Sequence, residues 1–175
     1  MLQELQNLMP DYAKDLKLNL SSVLNTTGSE LTAKQIAGIA LVSAYTSKSA
    51  ELIKYITAYA EPILTPEEIK GVKAAASIMG MNNVYYRFLH LAEDKEFQTM
   101  PANLRMSVVG NPGIPKLDFE FYSLAASAIN GCGLCISSHV KSLIKAGASK
   151  LGIQHSVRIA AVLNGAAQVL AIPAA

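Results

Sequence analysis

Apolar residues recur along the chain at three- and four-residue intervals, and no alternation of apolar and polar positions lasts more than a few residues. That pattern predicts an all-α fold of about seven helices. They are drawn from the segments 2–8, 10–21, 30–46, 48–60, 66–90, 116–130, 132–146 and 149–171, some of which merge. Punctuation supports the breaks. Thr65-Pro66-Glu67-Glu68 is a helix start, with Thr at N-cap, Pro at N1 and Glu at N3. Asn111-Pro112-Gly113-Ile114-Pro115 cannot be helical. Asn7–Asp11 and Asn25–Ser29 read as breaks, Asn130-Gly131 as a turn and Gly147 as a C-cap. The most apolar stretch, Ile159 to Ala175, is interrupted by Asn164, Gly165, Gln168 and Pro173, and it falls short of the ~20 residues a spanning helix needs. A buried core helix is the better reading.

The pattern also repeats. Val72–Gly80 aligns with Val157–Gly165, so that Ala75, Ala76, Gly80 and Val84 match Ala160, Ala161, Gly165 and Val169. Ser43-Ala44 precedes the first copy as Ser127-Ala128 precedes the second, and Leu52-Ile53-Lys54 resembles Leu143-Ile144-Lys145. The preserved order predicts a duplication of helical halves. The division expected is one domain over 1–175, with a scaffold half at 1–110 and a half at 111–175 that carries both cysteines.

Composition narrows the classes. Of 175 residues, 51% are hydrophobic and only 16% charged, which excludes a disordered chain. A net charge of +2 with no basic run argues against nucleic acid. A mean hydropathy of +0.27 is high for a soluble monomer, and the excess is read as subunit interface rather than membrane. Two cysteines are too few for a disulfide-stapled secreted fold. The opening Met1-Leu2-Gln3-Glu4-Leu5 carries an early acid and no apolar signal region, so the expected location is the cytoplasm, where thiols stay reduced.

Asn130-Gly131-Cys132-Gly133-Leu134-Cys135-Ile136-Ser137-Ser138-His139 holds both cysteines and one of three histidines. A helix starting at Cys132 would place a sulfur on the unpaired N–H groups and partial positive charge of its first turn, which stabilise a thiolate. Cys135 lies one turn on, so a reducible disulfide can close. Positions 132, 135 and 139 share about 60° of helical arc. The imidazole of His139 can then accept a proton from Cys135. Helix position favours Cys132 as the more acidic thiol, and the histidine favours Cys135. The dipole effect, ~0.3–1 kcal/mol, is smaller than a charge-assisted contact of roughly 1.5–3 kcal/mol, so Cys135 is the expected nucleophile. Two inert buried cysteines, or a zinc site with three ligands and no fourth, are the weaker readings.

Histidine needs an orienting partner. If the chain reverses at Asn130-Gly131, Glu120 lies about 15 Å back from the turn and His139 about 12 Å beyond it, so an antiparallel helix pair would bring them level. Glu120 sits among Phe119, Phe121 and Tyr122, where an ionised carboxylate requires pairing; a solvent-facing first-turn acid is the alternative. His90 is expected at a helix end and His155 away from any site. Asn82 and Asn83, polar inside an apolar helix, are expected to make structural hydrogen bonds rather than substrate contacts. Met79 and Met81 read as core, and the 111–115 loop as a rigid connector.

Over nearly its whole length the chain resembles the alkyl hydroperoxidase D (AhpD) family of the carboxymuconolactone decarboxylase-like superfamily. The resemblance rests on Pro10–Asp15, Lys17–Ser22, Ile78–Arg87, Asn111–Lys116, Ser127–Cys132 and above all the block with Cys135 and His139. It implies an all-helical homotrimer acting as a lipoyl-dependent peroxidase. The dithiol would be reduced by a dihydrolipoyl group on a lipoyl-carrier protein, and electrons could pass on to the peroxiredoxin AhpC. It implies that Cys135 attacks the hydroperoxide and becomes a sulfenic acid. Cys132 would protonate the leaving group and then form the disulfide, and Glu120 and His139 would relay protons. No tightly bound cofactor and no metal are implied. Leu134 stands where some family members carry a histidine. The competing functions are a general disulfide reductase serving a peroxiredoxin, a lactone-acid decarboxylase, and a redox-sensing helical oligomer without activity.

Overall fold

A computed structural model describes residues 2–173; Met1, and Ala174 and Ala175 at the end of the apolar stretch, lie outside the described residues. Ten α-helices and no strand occur among the described residues. They are α1 (Leu2–Asn7), α2 (Lys14–Val23), α3 (Ala33–Ser47), α4 (Ala50–Ala60), α5 (Pro66–Leu91), α6 (Lys95–Thr99), α7 (Ser107–Gly110), α8 (Lys116–Ile129), α9 (Gly133–Lys145) and α10 (Lys150–Ala171). The all-α expectation stands; the number of helices does not. Segment 10–21 begins as a 3-10 turn, Asp11–Ala13, ahead of α2. Two short helices, α6 and α7, fall where none was expected. At five and four residues they are too short to show a periodic apolar face, and neither buries a residue.

The longer helices start where their caps dictate. Thr32 and Thr65 each form a reciprocal capping box, with Gln35 and Glu68. Lys34 Nζ donates to Glu68 Oε1 at 2.8 Å and so ties the start of α3 to that of α5.

The centre is built from α3 and α8. Every residue from Ile36 to Ala44, and every residue from Phe119 to Ser127, is buried. Helices enclosed on all sides are apolar nearly all round, so neither shows a clean polar stripe; the buried polar residues in these runs are Ser43, Glu120, Ser123 and Ser127. They pack on each other at close quarters. Gly38 is required there, because a Cβ at this position would collide with the ring of Tyr122. Burial pushes the Tyr122 phenol far above its ordinary range, and the charges of Asp118 and Glu68 push it further.

Around this pair the packing exchanges: α3 lies against α10 and α8 against α5, while α4 touches α10 and α9 touches α5. The cysteine-bearing helix α9 is thereby held between α8 and α5. His155, on α10, is buried and fully used. Its Nε2 donates to Val23 O at 2.9 Å and its Nδ1 accepts from Ser29 Oγ at 2.9 Å, which fixes the segment after α2. His90 is exposed in the last turn of α5, near that helix's negative end. No helix among the described residues is long and apolar enough to cross a membrane.

Candidate active site

The site is assembled at the α8–α9 turn. α8 ends at Ile129, and Gly131 reverses the chain in the left-handed region, φ +67°, a conformation that glycine adopts without the Cβ penalty. Cys132 is then the N-cap of α9: its Sγ accepts from the backbone N–H of Cys135 at 3.3 Å. Cys135 lies in the first turn. The two cysteines stand at disulfide distance, with Cα atoms 5.3 Å apart.

This turn is gripped by α5. Arg87 Nη1 donates to Asn130 O at 2.6 Å, Asn130 Nδ2 to Asn83 Oδ1 at 3.0 Å, and Asn83 Nδ2 to Ser127 Oγ at 2.9 Å. Ser127 O accepts from Cys132 N at 3.1 Å, which closes the chain of contacts onto the first cysteine. The expectation for Asn83 therefore holds. For Asn82 it does not: its side-chain oxygen is buried with no hydrogen-bond partner.

Glu120 and His139 meet as the antiparallel geometry required. His139 Nδ1 lies 2.7 Å from Glu120 Oε2, and both side chains are buried. On its other oxygen, Oε1, Glu120 takes Lys116 Nζ at 3.2 Å, one helical turn back. Burial pushes the Glu120 carboxyl up, but hydrogen bonds and charge from His139, then from Lys116, outweigh it and hold the group below its ordinary value. An ionised Glu120 accepts from Nδ1–H, so the basic nitrogen of His139 is Nε2. Lys116 also donates to Val109 O, which joins the α7 wall to the carboxylate.

The two sulfurs differ in access. Cys132 is 0% exposed and Cys135 7%. Cys135 and His139 line a cleft of about 630 Å³, walled on the other sides by Met79, Asn82 and Tyr86 of α5, by Met106, Val109 and Gly110 around α7, and by Leu134 and Ser138 of α9. Met79 and the turn before Asn111 thus border the site as well as the core. Tyr86 and Met106 meet across it, with the phenol 3.8 Å from the thioether sulfur. Among the described residues, no group of three or more His, Cys, Asp or Glu is placed to hold a metal ion.

The sequence of the carboxymuconolactone decarboxylase family is matched by residues 95–175, the part that holds α6 to α10. Over nearly the full chain, proteins named alkyl hydroperoxide reductase AhpD align. One from Coxiella burnetii is 59% identical over 170 residues, covering 97% of this chain and 96% of that protein. One from Maricaulis maris is 51% identical over 170 residues, covering 97% of each. One from Hyphomonas neptunium is 49% identical over 174 residues, covering 99% of this chain and 96% of that protein. The chain belongs to the AhpD family.

For this AhpD-family chain, the four residues expected to carry the chemistry, Glu120, Cys132, Cys135 and His139, fall in one place. Cys132 caps α9, Cys135 and His139 stand in its first and second turns, and Glu120 comes from the neighbouring α8. Sequence reasoning gave Lys116, Arg87 and Ser127 no role. Lys116 had a readable signal in its four-residue spacing from Glu120. Arg87 and Ser127 act across long sequence separations, which a linear pattern does not carry. Leu134, between the cysteines, places an apolar side chain on the cleft wall.

Proposed function

We propose that this chain is an alkyl hydroperoxide reductase of the thiol peroxidase kind. What carries the reading is the difference between its two sulfurs: Cys135 opens on an apolar cleft beside a carboxylate-oriented imidazole, and Cys132 waits behind it, fully buried.

In this reading His139 takes the Cys135 proton. The thiolate attacks the terminal oxygen of R–O–O–H; an S–O bond forms, the O–O bond breaks, and the alkoxide takes the Cys132 proton to leave as an alcohol. The Cys132 thiolate then attacks the sulfenic sulfur. The S–S bond forms, and hydroxide leaves as water with the proton held by His139. Reduction runs through the same opening, because Cys135 is the sulfur that a dithiol can reach. Attack there expels Cys132 as a thiolate, onto the N–H of Cys135.

Dihydrolipoyl groups on a lipoyl-carrier protein are the reductant in this proposal, and the peroxiredoxin AhpC is a further electron acceptor. The expected assembly is a homotrimer in the cytoplasm. Val84, Phe88 and Leu91, exposed at four- and three-residue spacing along α5, support burial against another chain. The deciding experiment follows hydroperoxide consumption with dihydrolipoamide as sole reductant, in the wild type and in Cys135→Ser. Loss of turnover in the variant is expected. Equal turnover in both would overturn the reading.

A further inference from the structure

Charge is distributed unevenly along this chain. No Asp or Glu follows Glu120, whereas Lys141, Lys145, Lys150 and Arg158 do. Glu120 itself is buried and already engaged by His139 and Lys116. The segment around α7 is similar: between Glu96 and Asp118 the charged residues are Arg105 and Lys116. On α9 the cations share a face. Leu134, Ser138, Lys141 and Lys145 follow one another at four-, three- and four-residue spacing, which aligns them along one side of the helix, and all four are exposed. That row begins at the cleft, whose wall includes Leu134 and Ser138. It leads away for roughly 16 Å to Lys145, at 1.5 Å per residue. Leu134 is 44% exposed, and Ile144, 49% exposed, lies beside the far end of the row. Arg105 is exposed too, next to the cleft-lining Met106. Among the described residues, none of Arg105, Lys141 and Lys145 has an anionic partner. Cations left unneutralised around the mouth of a site attract an anionic partner.

We propose that this face of α9, with Arg105 beside the mouth, docks an acidic surface of the protein that carries the dihydrolipoyl arm. The inference rests on the lipoyl-dependent peroxidase reading above and adds the place where the carrier of the reductant sits. A free dithiol is small enough to reach Cys135 by itself and draws nothing from charges two helical turns away. A dithiol tethered to a protein needs that protein held at the mouth. Leu134 and Ile144 supply apolar contact, while the lysines steer and orient the encounter, as charges at the rim of an interface do. Lys141 lies about 10 Å along α9 from Leu134, within about one screening length at ordinary salt. Once the carrier is docked, one arm thiolate attacks Cys135 Sγ and expels Cys132 as a thiolate. The second arm thiol then attacks the arm sulfur bound to Cys135, and Cys135 leaves. The arm closes to a cyclic disulfide as the protein bridge becomes two thiols, so two electrons and two protons pass to the protein.

The test follows reduction of the Cys132–Cys135 disulfide in the full-length protein by quenched alkylation, with two reductants. One is a reduced, lipoyl-bearing carrier domain of net negative charge; the other is free dihydrolipoamide, which is uncharged. Lys141→Gln combined with Lys145→Gln should lower the carrier rate constant by about tenfold at low salt, the lower end of what steering supplies. The dihydrolipoamide rate should stay within about twofold of wild type. Lys141→Arg combined with Lys145→Arg should keep the carrier rate near wild type, and the wild-type carrier rate should fall as salt rises. An unchanged carrier rate in the Gln pair, equal slowing with both reductants, or a wild-type carrier rate indifferent to salt would overturn the docking face and leave the peroxidase reading in place. Binding of the wild type, but not of the Gln pair, to vesicles containing anionic phospholipid, with carrier rates equal, would assign the face to a membrane and overturn the proposal. A smaller assembly of the Gln pair in light scattering would assign it to a second copy and do the same. A wild-type disulfide that neither reductant opens would instead sink the lipoyl reading from which this one starts.

Discussion

Glu120 and His139 are nineteen residues apart in the chain and 2.7 Å apart in space, carboxylate oxygen to ring Nδ1. That contact fixes the imidazole ring between α8 and α9, on the same side of α9 as Cys135. It also makes one tautomer the useful one. A ring that donates through Nδ1 to an anion is a stronger base at Nε2.

Glu120→Gln keeps the shape and removes the charge. The rate of Cys135 oxidation by an organic hydroperoxide is expected to fall by about a hundredfold, within the range general-base assistance supplies. Rapid-quench kinetics check this, and an unchanged rate would separate the pair from the chemistry.

The same substitution has a signature in stability. The folded Glu120 carboxyl lies below its ordinary value of 4.5, so between the two values the unfolded chain binds more protons and stability rises with pH. The contribution is present in full above the ordinary value and is lost as pH falls through the folded one. Denaturant melts of wild type and Glu120→Gln should therefore differ at pH 6, and the difference should shrink as the pH falls below 4.5 and through the folded value. A constant difference would contradict the assignment.

Lys116→Met removes the cation 3.2 Å from Glu120 Oε1 and the link to Val109 O, while keeping the length of the side chain. The Glu120 carboxyl should rise toward its ordinary value. The acid limb of the oxidation rate should then move to higher pH, by less than one unit because Lys116 is half exposed. A pH profile that does not move would confine Lys116 to its place over the Phe119 ring, where Nζ lies 5.8 Å from the ring centroid.

Gly38→Ala drives a methyl into the Tyr122 ring between the two central helices. A cost of about 1–3 kcal/mol is expected, or a loss of several degrees in melting temperature. Combining it with Tyr122→Leu should cost less than the sum of the two, since the colliding ring is gone. Additive losses would place the strain elsewhere.

Asn83→Leu leaves Ser127 Oγ and the Asn130 amide without the partners that hold the α8–α9 turn. A destabilisation of about 1–3 kcal/mol is expected, together with slower closure of the Cys132–Cys135 disulfide after oxidation. Trapping of the sulfenic acid by dimedone would detect the delay.

Much of this site was legible in the sequence because it is local. The cysteine spacing, the i+4 histidine and the glycine turn lie within ten residues, and α-helical geometry converts their spacing into a shared face. Glu120 was reachable from one further step, the reversal at Asn130-Gly131. What escaped depends on contacts across the fold. Arg87 finds Asn130 from 43 residues away, and nothing around Arg87 marks it as different from a surface cation. The expectation for Asn82 failed for a related reason. A sequence shows that a buried asparagine needs a partner, but not whether the packing around it supplies one. The short helices α6 and α7 left no trace because they bury nothing, so no periodic pattern was needed to form them.

Cys132 is both half of the redox pair and the residue on which α9 begins. Its sulfur can settle on the first-turn amide as an anion only when the bridge is open, and that turn contains no acidic side chain to oppose it. The electrochemical poise of the pair is therefore tied to how well this helix end tolerates negative charge. A change that makes the end more electropositive should pull the couple toward the dithiol and make the protein a stronger oxidant, with neither cysteine touched.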